Sequence, residues 1–439
     1  MNTNVGMVKP IKRWSFEYFY FIVMFFYAFQ LCPATLRMRF GLSGDPIPFI
    51  LPIALTGILL FRNKVRWTTG GIGKVLVILL FWVLLITIKY SDTSISFFSY
   101  NFFLIYAVIV AYIHAQVYGT ALFDIYEDIL VKFSFLSLIL WTFQVTLPGV
   151  AATVFHLFPE YKASTGAGNH IFLLYNWFDP SLSMSAGQAF RNSGASFEPG
   201  HFSVMLSFGI FFNLLKNGVR FKNNRNFVIM LLALLTTFST TGYCIAFITI
   251  FVLYIKTHTF KLKFPALFVG SILLFLMFQL DFMGNKLSEK MNVQEANENF
   301  YNLESYYTKT EAEANRASLD RFQSMYFEWI NFVNEPLLGY SRETKKSWFR
   351  KNFLDIYSLT GGLVKILAQF GIIFGLIIYY MLFKSSKAIA RNFSSRSTMM
   401  FAIIMILGLI SYNIFDTPIL TAFWLYGMWN HIPECRFVG

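Results

Sequence analysis

Long apolar runs, broken by short polar stretches, set the rhythm of this chain. A helix that crosses the hydrocarbon core of a bilayer needs roughly 20 apolar residues, with a working range of about 17–25. On that measure the pattern predicts spans at 16–32, 46–61, 73–90, 96–118, 129–148, 201–216, 227–240, 242–256, 264–282, 360–383, 398–415 and 418–432. The expected fold is an all-α integral membrane protein of about twelve transmembrane helices, several of them short. The whole of 1–439 reads as one polytopic membrane domain with two long polar interruptions, 149–200 and 283–358.

The stretch "FVIMLLALLTTFSTTGYCIAFITIFVLYI" is either one long helix or a tight hairpin. One helix would put the basic segments "KNGVRFKNNR" and "KTHTFKLK" on opposite faces of the membrane, whereas a hairpin turning at "STTG" puts both on one side. Cytoplasmic loops collect Lys and Arg, so the hairpin is favoured. With the N-terminus inside, "RNKVR", "KNGVRFKNNR", "KTHTFKLK" and "KSSKAIARNFSSR" all become cytoplasmic, and 149–200 and 283–358 become extracytoplasmic loops. Within the second loop, Phe322, Met325, Tyr326, Trp329, Ile330 and Val333 repeat at helical spacing. They predict an amphipathic helix on the membrane surface or over a cavity, ending near Pro336 and Gly339.

Composition agrees with this picture. Of 439 residues, 56% are hydrophobic, 13% are charged and 53 are Phe. The formal net charge of +13 is mostly an orientation signal, so no nucleic acid is expected as a partner. Cys32, Cys244 and Cys435 are scattered and give neither a metal spacing nor a disulfide framework. Lys9, Lys12 and Arg13 precede the first apolar run, and no small-residue cleavage site follows it, so a signal-anchor helix is expected.

No nucleotide loop, zinc motif or nucleophile elbow appears, and neither metal nor cofactor is expected. The best candidate for chemistry is "RNSGASFEPGHFSVML", residues 191–206. Pro199 suits the first turn of a helix because its missing N–H is not needed there. That helix end would offer free N–H groups and partial positive charge to phosphate. Arg191 adds a permanent cation with a bidentate fork. Glu198 is a candidate proton acceptor, or else a helix cap or the ion-pair partner of Arg191. His201 is a second candidate base, or a hydrogen-bonded packing residue. A carboxylate paired tightly with Arg191 makes a poorer base, which would favour His201; an unpaired Glu198 reverses that order. Arg316 and Arg321, at the start of the amphipathic helix, are candidate phosphate or sugar ligands, or solvated residues, with Arg321 within reach of Glu328.

"RNSGASFEPGHFSVML" resembles the Arg-x-x-Gly-x-x-x-Glu-Pro segment of O-antigen polymerases and the related O-antigen ligases. "FSTTGYCIAF" resembles their Ser-x-Thr-Gly helix start. "DRFQSMYFEWINFVNEPLLGYS" resembles their Arg…Trp…Pro-Leu-x-Gly block, and "LVKILAQFGIIFGLIIY" their next Gly-rich helix. Order and spacing agree along 190–383. Ligases carry a His-Asn pair just before that last helix, where this chain has Gly361 and Gly362. The departure favours the polymerase and leaves the general base open.

The resemblance implies a glycosyltransferase of the bacterial inner membrane with a cytoplasmic N-terminus. Its donor and acceptor would be undecaprenyl-diphosphate-linked oligosaccharides, and a chain-length regulator would be its protein partner. Arg191, Arg316 and Arg321 would bind the diphosphate, and Arg191, Glu198 and His201 would be catalytic. The alternatives are a ligase that transfers glycan to a lipid A core, and a flippase or transporter of lipid-linked sugar. A transporter would line a central path with charge, and the predicted spans carry few ionisable residues.

Overall fold

The computed structural model describes residues 9–28, 47–63, 65, 69–89, 95–158, 160–162, 168–172, 175–178, 191–196, 198–257, 321–340, 347–352, 362–412, 414, 417–429 and 432–438. It is mostly helical. The apolar runs become α1 (Phe16–Ala28), α2 (Ile47–Asn63), α3 (Thr69–Lys89), α4 (Ile95–Tyr118) and α5 (Leu122–Thr146). A short α6 (Pro148–Phe155) precedes strands β2 (Glu160–Lys162), β3 (Gly168–Phe172) and β4 (Tyr175–Phe178). Then come α7 (Pro199–Asn217), α8 (Arg225–Thr236), α9 (Thr240–Thr257), α10 (Arg321–Asn334) and α11 (Trp348–Asn352). The chain closes with α12 (Leu363–Asn392), α13 (Met400–Ser411) and α14 (Pro418–Trp424). Strand β1 (Lys9–Lys12) pairs in parallel with β5 (Cys435–Val438). The predicted span 264–282 lies outside the described residues.

Among the described residues, two helical runs are long and apolar enough to cross a membrane, Ile105–Thr146 and Leu363–Asn392. A glycine in the left-handed region breaks each. Gly119 (φ +51) separates α4 from α5, and Gly371 (φ +69) interrupts α12. At the second break the turn after α10 docks into the helix. Tyr340 N donates to Ala368 O at 2.8 Å, and Ile372 N donates to Pro336 O at 2.8 Å. A helix can lose ladder bonds inside an apolar environment only where other groups replace them, and here the 336–340 turn does so.

The all-α expectation needs correcting in the first polar loop. "IFLLYNWF" supplies β-branched and aromatic residues that suit strands, and β2–β3–β4 form an antiparallel sheet. The run 418–432 also differs from expectation. It forms only the seven-residue α14 and a 3-10 turn at Tyr426–Met428. Every residue of α14 is buried, and the helix alone is too short to cross a bilayer, but the chain passes from Tyr412, bonded to Glu198, to Trp424, whose carbonyl accepts from Ser385 near the other end of the core.

Helix α7 is the central post. Pro199 through Leu214 are all buried. Phe123 of α5 joins Phe212 of α7 to Phe393 and Phe423 through ring contacts of 4.8–5.7 Å. Such aromatic pairs add about 0.5–1.5 kcal/mol each beyond their buried area. Around this core, Phe61, Leu76, Leu80, Ile139, Leu232 and Leu376 stay exposed, an apolar surface that water does not favour.

The contacts sort into two poles, separated by the 19-residue α7, about 28 Å at 1.5 Å per residue. At one pole Arg13, Tyr18 and Lys132 converge on Asp128, and Arg62 pairs with Glu17. Lys216 meets Asp124 there at 2.8 Å, and Thr120 bonds to the Cys435 carbonyl. The other pole holds the start of α7, the end of α8 and the start of α9. The 227–256 run is therefore a hairpin. The α8 N-terminus lies by Asn213, its end reaches Asn192, and α9 returns from Ser203 to Arg396. Ser239, in the predicted "STTG" turn, accepts from Gly242 N at 3.4 Å as a serine at a helix start can.

Candidate functional site

The segment 191–198 folds back on the first turn of α7. Asn192 anchors it, accepting from Gly194 N at 2.9 Å and donating to Thr236 Oγ1 at 2.9 Å and Ser137 Oγ at 3.2 Å. Gly194 (φ +52) has to be glycine, because a Cβ there would strike the Phe202 ring. Strand β4 holds the same segment from the other side. Ser193 Oγ donates to Asn176 O at 2.5 Å, and Asn176 N donates to Gly194 O at 2.9 Å. The first polar loop is thus built into the site.

Arg191 is half-buried, and its Nε donates to Thr237 O at 2.9 Å in the turn between α8 and α9. Glu198 is the residue before α7, in extended conformation, and its side chain does not cap the helix. Its Oε2 accepts from Tyr412 Oη at 3.1 Å. No ion pair joins Arg191 to Glu198 among the described residues. The cation and the carboxylate share one pole, and each has a neutral hydrogen-bond partner.

His201 is 5% exposed. Its Nδ1 shares a 2.6 Å hydrogen bond with Ser196 Oγ, and the Tyr412 ring stands edge-on to it at 5.6 Å. Tyr412 therefore touches both candidate bases, although it lies 214 positions from Glu198. The room for it comes from Gly200, where a Cβ would collide with the Tyr412 hydroxyl. A tyrosine at the end of an apolar run carries no local signal of such a contact, and sequence reasoning missed it.

The amphipathic helix forms as α10 and ends at Asn334 before Pro336. Its apolar stripe faces outward, with Tyr326 43%, Trp329 49% and Val333 56% exposed. The buried face is partly polar and packs on α12. Glu328, 1% exposed, accepts from Asn331 Nδ2 at 3.0 Å and from Tyr340 Oη at 3.2 Å. Burial raises its carboxyl above the usual range, opposed by the Lys365 charge and by the Asn331 and Tyr340 hydrogen bonds. Arg321 is the first residue of α10 and its side chain lies outside the described ones; Arg316 and Gly361 lie outside the described residues altogether. The structure thus places Arg191, Glu198 and His201 at one pole, with Glu198 and His201 both against Tyr412.

Among the described residues, no cluster of His, Cys, Asp and Glu has the makings of a metal site. The arrangement at the α7 N-terminus offers a fixed guanidinium, a half-buried carboxylate and the first-turn N–H groups of a buried helix, which together suit an anionic group and a proton transfer. Compared with known proteins, the chain matches no family model and no curated sequence.

Proposed function

We propose that this protein is a polysaccharide polymerase of about twelve membrane spans, joining undecaprenyl-diphosphate-linked repeat units at the outer face of a bacterial inner membrane. Loops 149–200 and 283–358 face outward and the N-terminus faces the cytoplasm. The observation that carries the proposal is the placement of Glu198 at the α7 N-terminus, held by Tyr412 and unpaired with Arg191 among the described residues. The motif resemblance along 190–383 supplies the substrate class, and the gathering of Arg13, Arg62, Lys132 and Lys216 at the far pole supports the sidedness.

Glu198 takes the proton of the acceptor hydroxyl. The acceptor oxygen then bonds to the anomeric carbon, and the bond from that carbon to the diphosphate oxygen breaks, its electron pair leaving on the lipid diphosphate. Charge grows on the leaving group as that bond breaks. Arg191 and the α7 N-terminus therefore stabilise the transition state more than the ground state. Arg316 and Arg321 bring further positive charge from the second loop. His201 orders Ser196 and the segment behind it. No nucleotide is required, because the diphosphate bond is already activated.

Deleting the gene and resolving the surface polysaccharide on a gel tests this. A polymerase leaves a single repeat unit on the core; a ligase leaves polymer on its lipid; a flippase leaves no glycan outside. Glu198→Gln, expressed at the wild-type level, should reproduce the single-unit phenotype. An unchanged ladder in that variant would remove Glu198 as the base.

A further inference from the structure

We propose that a recess at the basic end of α12 binds the phosphate headgroup of an anionic membrane lipid. The recess has a volume of about 520 Å³, and Lys384, Lys387 and Arg391 line it. With Tyr380 they fall on one face of α12, each three or four positions from the next, so their side chains are neighbours. Tyr380, Phe383 and Met399 form the apolar part of the wall.

Like charges at this spacing repel one another. The ion pairs of this pole use Asp128, Glu17 and Asp124, whose partners are Arg13, Lys132, Arg62 and Lys216. Among the described residues, no carboxylate pairs with Lys384, Lys387 or Arg391. Lys74 of α3 stands close enough to Lys384 for the two charges to interact unfavourably. The positive-inside tendency accounts for the sign of this charge, but not for its gathering around one recess with an aromatic wall.

A lipid fits better than a soluble anion because of what lies beside the recess. Ile373, Leu376 and Tyr380 are exposed along α12 and lead up to Lys384, whose Nζ lies 6.0 Å from the Tyr380 ring centroid. Headgroup phosphate on the cations would let acyl chains continue along that apolar strip, and basic pockets between spanning helices on the cytoplasmic side take anionic headgroups in this way. The proposal is independent of the polymerase function.

Native mass spectrometry of the whole protein in neutral detergent, with thermal unfolding alongside, tests it. The probes are phosphatidylglycerol, cardiolipin, phosphatidylcholine and inorganic phosphate. The two anionic lipids should be retained and should raise Tm, and phosphatidylcholine should not. The triple variant K384Q/K387Q/R391Q should retain at least fivefold less anionic lipid, and Lys387→Gln alone should lose part of the retention. R220Q/K222Q/R225Q removes the same charge from an exposed segment at the same pole and should behave as wild type. Equal retention of phosphatidylcholine overturns the proposal, as does unchanged retention in the recess variants or equal loss in the charge-matched control. Inorganic phosphate that matches the lipid's Tm shift assigns the recess to soluble anions and overturns it too.

Discussion

The two poles of this molecule treat charge in opposite ways. At the basic pole opposite charges meet: Asp128 gathers Arg13, Lys132 and the Tyr18 hydroxyl, and Lys216 reaches Asp124 at 2.8 Å. At the other pole Arg191 rests on the Thr237 carbonyl and Glu198 on the Tyr412 hydroxyl. A direct ion pair would neutralise both groups and leave little for a ligand. Here a backbone carbonyl and a phenol hydroxyl, both neutral, help to fix the cation and the carboxylate. The first arrangement suits holding helices together, and the second suits acting on something that arrives.

Mutations that act on one pole only should break or sharpen this contrast. If the proposed polymerase function holds, the largest effect is expected for Arg191→Ala, about 10²–10³-fold in polymer formed per molecule, as for loss of a donor aimed at a developing anion. A pulse-labelled ladder assay at matched protein level reads it, and a loss below threefold would remove Arg191 from the site. Tyr412→Phe deletes one hydrogen bond to Glu198 and should slow chain extension about tenfold with little change in Tm. Gly200→Ala pushes on the same hydroxyl. The double variant should therefore be no slower than the slower single one, whereas multiplying effects would mean separate roles.

Asp128→Asn tests the other pole. It should lower stability by about 1–2 kcal/mol, because its partners Arg13 and Lys132 are partly exposed. Activity per folded molecule should not change, and a fall in it would mean that the two poles are coupled. The smallest effect concerns Glu328. Its raised native value means that the folded state holds the proton more tightly than the unfolded chain does. Its contribution is complete below the ordinary carboxyl range and fades as pH rises through the raised value. Hydrogen exchange in α10 should therefore speed up with rising pH beyond the intrinsic chemical rate. Glu328→Gln, which keeps acceptor capacity toward Tyr340, should flatten that excess.

The helical character of the chain was legible because long apolar runs are coarse, local signals. The bounds of α7, the start of α9 after Ser239 and the end of α10 before Pro336 all follow from caps and breakers readable within a few residues. What was not legible depends on distant partners. Gly119 turns where Pro433 lies against it, and β1 waits on β5, across most of the chain. The apolar stripe of α10 was readable, but not that it would face outward while Ser324, Glu328 and Asn331 are buried, since periodicity finds a face without saying what it faces. At the site, Arg191 and Glu198 stand out as charges in an apolar chain. Tyr412 does not, because tyrosine is ordinary in such a sequence.

The docking of the 336–340 turn into α12 bears on how this chain can change over time. A Cβ on Gly339 would meet the Ala368 and Gln369 backbone, and one on Gly371 would meet the Leu337 backbone. Each glycine is required by the other segment's main chain as well as by its own positive φ, +65° at Gly339 and +69° at Gly371. Neither can be replaced first without a clash, so the pair is inherited as one character although it is written in two places. In any set of descendants, Gly339 and Gly371 should be kept together or lost together, and a lineage with only one of them should have rebuilt the joint between loop and helix.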